Sequence, residues 1–208
     1  MLFAFDTGEL EIRDGGGGSR RLRGRFPYNK VAVLSDGGRN GGKPQKEKFA
    51  PGAFKYSLDN TDVSPIHLLV GHSYDKPLAS TDNGTLQLTD AADALTFDAT
   101  VTPQIADTSY GSDILKMILA GLAAGISPGF RIPPPRAVPA DQAEKITHEP
   151  VDPSKGMHGA IIRTILAALL FELSIVTRPA YDQTQIEARN WDVENGIAVP
   201  RKFERWRR

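Results

Sequence analysis

The spacing of hydrophobic residues changes along the chain, and each spacing predicts a different element. Apolar residues alternate with polar or small ones over Thr85–Leu88 and again over Leu95–Val101. A period of two is typical of strands with one buried face, so we expect a hairpin here. Beyond it, apolar residues recur at helical spacing after Asp107–Ser109, which can cap a helix. The pattern predicts an amphipathic helix over about Ser109–Leu122.

Shorter apolar runs predict the remaining elements. A turn at Ala50–Ala53 opens a short helix that continues to about Leu58. The segment Ile161–Val176 mixes helical and extended signals, and we interpret it as two strands or one bent strand. A last helical turn is predicted over Ile186–Trp191. Further strands are expected over Arg21–Leu34 and Ile66–Val70, and a short strand or a turn over Ile126–Ile132.

Glycine- and proline-rich stretches divide the chain. Gly15–Gly18 separates a flexible N-terminal arm, residues 1–20, from a domain over residues 21–191. Inside that domain, residues 133–158 contain six prolines and are predicted to form a long exposed loop. Residues 192–208 form a basic tail, whose last eight residues carry five basic side chains and one acid. We interpret the tail as solvated; tethering the chain to an acidic partner is the functional alternative.

Composition excludes several classes of protein. Lysine plus arginine and aspartate plus glutamate both number 25, so nothing global points to nucleic-acid or membrane-surface binding. There is no cysteine, which excludes disulfides, cysteine zinc sites and a cysteine nucleophile. The acidic N-terminus is unlike a signal peptide, and the apolar run Ile165–Phe171 is too short to span a bilayer. We expect a soluble cytoplasmic protein without a membrane segment.

Ser127 is the candidate nucleophile. Gly125 and Gly129 flank it in the G-x-S-x-G pattern of the hydrolase nucleophile elbow, although such a pattern is also common in plain turns. In that elbow the residue after the serine donates its backbone N–H to the oxyanion, whereas Pro128 has no N–H. If Ser127 is a nucleophile, its scaffold therefore differs from the α/β hydrolases.

His72 is the candidate base. It follows a predicted strand and a glycine, near a strand end where a side chain can face a cleft, and histidine exchanges protons near neutral pH. The alternative is a partly exposed histidine without a role. His67 lies inside the apolar run and is expected to be a core residue, while His148 and His158 are expected to be solvated. Their irregular spacing is not that of a metal site, and we expect neither metal nor cofactor.

Glu172 interrupts an apolar neighbourhood, and a carboxylate there must face solvent or find a partner. One interpretation is an edge-strand glutamate that points outward; the other is a carboxylate that orients the histidine. If the segment is a strand, Glu172 and Ser174 share one face, and Ser174 is then a supporting hydrogen bonder rather than the attacking group.

These segments, in this order, resemble the prohead proteases of HK97-type tailed phages. The likeness covers roughly Arg21 to Arg189. Its most specific segments are Ser127–Phe130 and Glu172–Tyr181, arranged around Gly71-His72. The remaining segments that carry the likeness are Tyr28-Asn29, Pro51–Phe54, Leu95–Val101 and Thr108–Leu115.

The resemblance implies a fold similar to that of the herpesvirus assembly protease. That fold is α+β and mainly β: a small barrel of mostly antiparallel strands with peripheral helices. It also implies a serine endopeptidase that acts inside the immature capsid, in the host cytoplasm. Its expected partners are the scaffold protein or the major capsid protein, whose scaffolding segment it trims before degrading itself. A homodimer is expected because related viral proteases are dimers.

By matching motif, the resemblance assigns the histidine to His72, the serine to Ser127 and the acid to Glu172. The chain departs from the family pattern at Ser73, where a small acidic residue is usual, and in the long proline-rich stretch. For the oxyanion, backbone N–H groups near Gly129–Arg131 are candidates, with the Arg131 side chain as a further one.

Two other functions remain open from the sequence. The first is a non-catalytic capsid-assembly or scaffold protein that kept the protease fold. Such a protein predicts no reaction of Ser127 with a fluorophosphonate. The second is a serine esterase of another fold, which predicts turnover of small esters without peptide cleavage and which the Pro128 argument disfavours.

Overall fold

A computed structural model describes residues 2–3, 10–37, 42–61, 64–123, 125–155 and 157–177. The strands in chain order are β1 (Leu2–Phe3), β2 (Leu10–Asp14), β3 (Arg20–Pro27), β4 (Ala32–Ser35), β5 (Gln45–Phe49), β6 (His67–Val70), β7 (Ser73–Ser80), β8 (Leu86–Asp90), β9 (Ala94–Val101), β10 (Gly125–Arg131), β11 (Glu144–His148), β12 (Val151–Asp152), β13 (Met157–His158), β14 (Ile161–Ile165) and β15 (Leu169–Val176). The helices are α1 (Lys55–Leu58), α2 (Pro103–Ala106), α3 (Ser109–Leu119) and α4 (Ala140–Ala143), with a 3₁₀ turn at Pro153–Lys155.

Sheet I has five strands in the order β1-β10-β15-β6-β7. Its neighbours are antiparallel except for β15 and β6, which are parallel. In β15 the residues Leu173 and Ile175 are buried in the core, while Glu172 and Ser174 alternate with them on the other face. That second face carries the chemistry discussed below.

Sheet II has the order β11-β14-β5-β4, and sheet III has the fully antiparallel order β2-β3-β9-β8. In sheet II only the β14–β5 pair is parallel. The hairpin predicted from the period-two pattern is β8–β9, and the two-strand interpretation of Ile161–Val176 corresponds to β14 and β15. Both predictions are confirmed.

The helix α3 begins and ends where local chemistry requires. The Thr108 side chain accepts a hydrogen bond from the Gly111 N–H at 3.1 Å, which caps the first turn. At the other end Gly121 has φ +69°, and the N–H of Leu122 bonds the carbonyl of Met117. This Schellman arrangement ends the helix at Leu119, three residues before the predicted end, and leaves Leu122 exposed.

Buried aromatic side chains from sheets I, II and III pack together behind the site. The Phe49 ring lies 4.9 Å from that of Phe130, 5.0 Å from that of Phe54 and 5.3 Å from that of Phe26, measured between centroids. All four rings are buried. Phe130 is a residue of β10, so the cluster anchors the strand that carries Ser127 from its apolar side.

The fold class is confirmed as α+β and mainly β, with few helices. The predicted closed barrel is not seen among the described residues, whose strands form open sheets. Within them, sheet I ends at β7, whose outer part carries Asp75, Lys76 and Pro77. Charged side chains and proline are what edge strands use to prevent further pairing.

Three other segments differ from the prediction. The strand predicted over Arg21–Leu34 is β3 and β4 in two different sheets, separated by a turn at Asn29 with φ +60°. Residues 133–158 are not a continuous loop, because α4, β11, β12 and β13 form within them. In the predicted flexible arm, β2 pairs with β3. Ile186–Trp191 and the basic tail lie outside the described residues.

Candidate active site

The turn between β6 and β7 presents His72. Gly71 and His72 both have positive φ, +59° and +62°, as in the two-residue turns that match the twist of a hairpin. Glycine adopts this conformation without strain, whereas for histidine it costs about 1–2 kcal/mol. The Gly71 N–H bonds the Ile175 carbonyl at 3.0 Å, and the His72 N–H bonds Ser174 Oγ at 2.8 Å. Both bonds hold the turn against β15.

The imidazole of His72 contacts a buried carboxylate. His72 Nδ1 lies 2.7 Å from Glu172 Oε1, and Ser174 Oγ donates to Glu172 Oε2 at 2.7 Å. Glu172 and Ser174 are fully buried, while 17% of the His72 side chain is exposed. In the state in which the carboxylate is ionised it only accepts hydrogen bonds, and the proton then lies on Nδ1 with the lone pair of the ring on Nε2.

Ser127 lies on the same face of sheet I as this pair. In the antiparallel register Ser127 is directly opposite Ser174, and Gly129 is opposite Glu172. Directly opposed side chains lie on one face, with Cβ atoms about 4.5–5.5 Å apart. Ser127 Oγ is buried and has no hydrogen-bond partner among the residues that the structure describes. A buried hydroxyl without such a partner is unusual in a folded protein.

The strand context of Ser127 excludes the nucleophile elbow. The chain continues as strand β10 from Gly125 to Arg131, whereas an elbow turns into a helix directly after the serine. Pro128 sits in the strand opposite Leu173. Ser127 is fully buried, so its hydroxyl is closed to solvent in this structure.

Gly129 and Arg131, the candidates for oxyanion binding, have different surroundings. A Cβ built on Gly129 would overlap Oε1, Cδ and Cγ of Glu172, so the missing side chain makes room for the carboxylate. The Arg131 side chain is exposed, and its guanidinium carbon lies 5.4 Å from the centre of the Phe171 ring. The structure therefore packs Gly129 against the acid and directs Arg131 to the ring of Phe171.

Two further side chains lie near Glu172. His67 is opposite Glu172 in the β6–β15 register, and its ring meets that of Tyr74 edge-on at 6.0 Å. Burial raises the pKa of Tyr74, the Glu172 charge raises it further, and the Arg131 charge opposes both. His67 is thus partly buried near the site rather than in the core, whereas His148 and His158 are exposed as predicted.

The model of one protein family matches residues 37–197, which is most of the chain, and that family is described as caudovirus prohead serine protease. The chain belongs to this family. The protein is therefore a serine peptidase of phage capsid maturation that acts in the prohead and interacts with capsid proteins. No curated protein and no solved structure matched the chain.

In the described part of the chain, no helix is long and apolar enough to cross a membrane. No group of three or more histidine, aspartate or glutamate side chains there is arranged to hold a metal ion.

The sequence did not single out Tyr74. It lies in β7, a strand that the apolar pattern did not predict because Ser73–Lys76 contains no aliphatic residue. Its position beside Glu172 follows from the tight turn at Gly71-His72, which returns the chain along β6. A glycine followed by a residue able to adopt positive φ is the signal that predicts such a turn.

Proposed function

We propose that the prohead protease is an endopeptidase in which Ser127 is the nucleophile, His72 the base and Glu172 the orienting acid. The observation that carries the proposal is the 2.7 Å contact between His72 Nδ1 and the buried Glu172 carboxylate. Ser127, on the neighbouring strand β10, lies on the same face of sheet I as Glu172. A carboxylate, an imidazole and a hydroxyl in this order are the parts of acyl-transfer catalysis by serine.

The reaction proceeds by acyl transfer. Ser127 Oγ attacks the carbonyl carbon of the scissile peptide bond, and its proton passes to Nε2 of His72. Glu172 accepts the Nδ1 hydrogen bond and stabilises the imidazolium. His72 then protonates the leaving amine as the C–N bond breaks, which leaves an ester on Ser127. Water attacks that ester with His72 again as base, and the acid product leaves.

The developing oxyanion requires hydrogen-bond donors, each worth about 3–4 kcal/mol. Pro128 has no N–H, so the proposal relies on backbone N–H groups near Gly129–Arg131, with the Arg131 side chain as a further donor. Because Ser127 is buried, a peptide reaches it only after a movement that exposes Oγ.

The substrates follow from the capsid setting of the family. We propose that the protease cleaves scaffold protein or the scaffolding segment of the major capsid protein, and also itself. On this proposal it works as a homodimer in proheads within the host cytoplasm, and the basic tail beyond residue 191 is the segment that would tether it to acidic scaffold.

The proposal predicts that Ser127→Ala leaves a folded protein with uncleaved scaffold and capsid precursor. The measurement is mass spectrometry of capsid-protein termini from proheads assembled with wild-type or variant protease. His72→Ala is expected to match Ser127→Ala, since losses within such a unit are far from additive. Normal termini with Ser127→Ala would end the assignment of the nucleophile.

The role of Glu172 is tested separately in a peptide-cleavage assay. Glu172→Gln and Glu172→Ala are both expected to lower kcat by a factor of about 10⁴, the loss seen when the orienting acid of such a triad is neutralised. Near-normal rates in both variants would remove Glu172 from the mechanism.

A second function is favoured by one observation, the complete burial of Ser127. A capsid-assembly protein that kept the fold without activity needs no access to this hydroxyl. A fluorophosphonate probe separates the two: the endopeptidase is labelled at Ser127 and the assembly protein is not.

A further inference from the structure

Ser174 stands at the centre of the hydrogen bonds that hold the site. Its Oγ accepts from the backbone N–H of His72 at 2.8 Å and donates to Glu172 Oε2 at 2.7 Å. The other carboxylate oxygen of Glu172 bonds His72 Nδ1. The bonds form a closed ring that runs from the His72 backbone through Ser174 and Glu172 to the His72 imidazole.

Each member of this ring fixes a different degree of freedom. The bond to the His72 N–H holds a histidine whose φ of +62° is unfavourable for a residue with a side chain. The bond to Oε2 sets the rotation of the carboxylate, and Oε1 then sets the rotation and tautomer of the imidazole. One hydroxyl thereby controls both the backbone and the ring of the base.

Ser174 is also directly opposite Ser127 across the β10–β15 pair, and it is fully buried. Its single proton is committed to Glu172 Oε2. Its hydroxyl is therefore a hydrogen-bonding link and not a second nucleophile. A serine hydroxyl can donate and accept at the same oxygen, so Ser174 Oγ can bond His72 and Glu172 at once.

We propose that Ser174 is a positioning residue of the prohead protease, which holds the His72 turn and the Glu172 carboxylate in the geometry for proton transfer from Ser127. The proposal rests on the proposed function, since positioning has meaning only if His72 is the base. Ser174 acts through its two hydrogen-bonded neighbours, His72 and Glu172.

The first test measures the rate at which a fluorophosphonate probe labels Ser127, across a range of pH. Ser174→Ala is expected to label about 10- to 100-fold more slowly, since misplacing a reacting group by about 1 Å costs on the order of 100-fold. Ser174→Thr keeps the hydroxyl and is expected to recover most of the rate.

The pH profile separates positioning from a merely structural role. Without the Ser174 hydrogen bond, more negative charge stays on the carboxylate beside His72, which stabilises the imidazolium. The acidic limb of the labelling profile is therefore expected to move to higher pH in Ser174→Ala. The other titratable groups near the carboxylate are His67 of β6, Tyr74 of β7 and Arg131 of β10, and all of them are unchanged in this variant.

The matched control is Ser57→Ala. Ser57 is also a buried serine that is hydrogen-bonded to β15, since its Oγ accepts from the Leu170 N–H at 2.8 Å. It belongs to the helix α1 and lies outside the site. Its removal is expected to lower the melting temperature while leaving the acidic limb in place. A shift of equal size in both variants would overturn the proposal.

The second test needs no activity. Amide hydrogen exchange of His72, measured by NMR, is expected to become faster in Ser174→Ala, because the His72 N–H loses its acceptor. The neighbouring Gly71 N–H bonds the Ile175 carbonyl and is the internal reference. Equal protection of His72 in wild type and variant would contradict the ring of bonds.

The outcomes distinguish this inference from the proposed function. A wild-type protein that is labelled at Ser127, with Ser174→Ala labelled at the same rate and the same pH profile, overturns the positioning role alone. A wild-type protein that is neither labelled nor able to process its precursor overturns the proposed function, and the positioning role with it.

Discussion

The residue types at the site match the space and the hydrogen-bonding groups that their neighbours provide. Glu172 is a fully buried carboxylate, and its hydrogen bonds to His72 and Ser174 offset the cost of removing it from water. Gly129, opposite it, has no side chain where the carboxylate lies. Gly129 therefore leaves the space that the Glu172 carboxylate occupies, in addition to any role of its backbone N–H toward an oxyanion.

This packing predicts the effect of Gly129→Ala. The added methyl group overlaps Glu172 Oε1 and must push the carboxylate away from His72 Nδ1. We expect peptide-cleavage kcat/KM to fall about 100-fold, as for other small misplacements of catalytic groups. The steady-state assay is run beside a melting curve, so that loss of folded protein is not counted as loss of rate.

Gly15→Ala is the matched control for this prediction. The three atoms nearest to its built Cβ belong to the side chains of Ser19 and Arg21, at the connection between β2 and β3 of sheet III. The cleavage rate of this variant is expected to equal that of wild type. Unchanged kinetics for Gly129→Ala as well would show that the carboxylate tolerates displacement.

At the scale of the elements, ion pairs across strands reinforce sheet III. Asp98 of β9 lies directly opposite Arg23 of β3 and accepts from its Nε at 2.7 Å, while Arg21 Nη2 contacts both carboxylate oxygens at 2.9 Å. Burial alone would raise the pKa of Asp98, but the hydrogen bonds and charges of Arg23 and Arg21 outweigh it and lower the pKa.

The lowered pKa makes part of the stability depend on pH. A carboxyl group with a depressed folded-state pKa stabilises the protein above its unfolded-state value, and this stabilisation is lost as the pH falls through the folded-state value. Asp98→Asn is expected to reduce the free energy of unfolding by about 0.5–1 kcal/mol at neutral pH, since the arginines are half exposed. The difference should shrink in acid.

Urea unfolding of wild type and Asp98→Asn at neutral and acidic pH measures this effect. In a background with Arg21 and Arg23 both replaced by Gln, the same substitution is expected to change little. A difference between wild type and Asp98→Asn that stays constant with pH would contradict the assigned ion pairs.

At the scale of the whole molecule, charged contacts attach residues 133–158 to sheet II. Arg163 of β14 bonds Glu144 of β11 at 2.6 Å and Glu47 of β5 at 3.2 Å. Lys46 contacts Glu149 at 2.6 Å. These contacts, together with the β11–β14 pairing, explain why the proline-rich segment is built into the domain.

Glu47 is the member of this cluster whose burial lowers the stability of the fold. It is fully buried, and Oε1 has no hydrogen-bond partner among the described residues. Burial raises the pKa of Glu47, the Arg163 charge and hydrogen bond oppose this rise, and the Glu144 charge adds to it. Because the folded-state pKa is raised, the ionised form is disfavoured by folding, and stability falls as the pH rises through the interval above the usual value of about 4.3.

Glu47→Gln is therefore expected to increase the free energy of unfolding at neutral pH. The amide is isosteric, remains neutral and still accepts from Arg163. The gain should vanish below the usual glutamate range, about pH 4, where wild-type Glu47 is protonated in both states. Chemical denaturation at the two pH values measures it, and a variant less stable than wild type at neutral pH would show that the Arg163 pair outweighs burial.

Much of the architecture follows from local patterns in the sequence. The period-two stretches predicted β8 and β9, and the spacing of Ile114, Leu115 and Ile118 predicted α3, because burying one face of an element leaves a period in the sequence. The mixed pattern that ends near Val176 was interpreted as two strands, which is what forms. The strands within 133–158 were missed because β12 and β13 have only two residues each and β11 is exposed from Lys145 to His148, so none of them leaves a hydrophobic period in the sequence.

The sequence by itself determined the family, the mainly β composition and the residue types of the site, including the shared face of Glu172 and Ser174, because a strand's alternation is a local property. Only the tertiary structure decided that His72 reaches Glu172, 100 positions away in the chain, that Ser174 joins them, and that the sheets do not close into a barrel among the described residues. Those outcomes depend on strand order and register, which arise from packing between distant segments and leave no periodic trace in the chain.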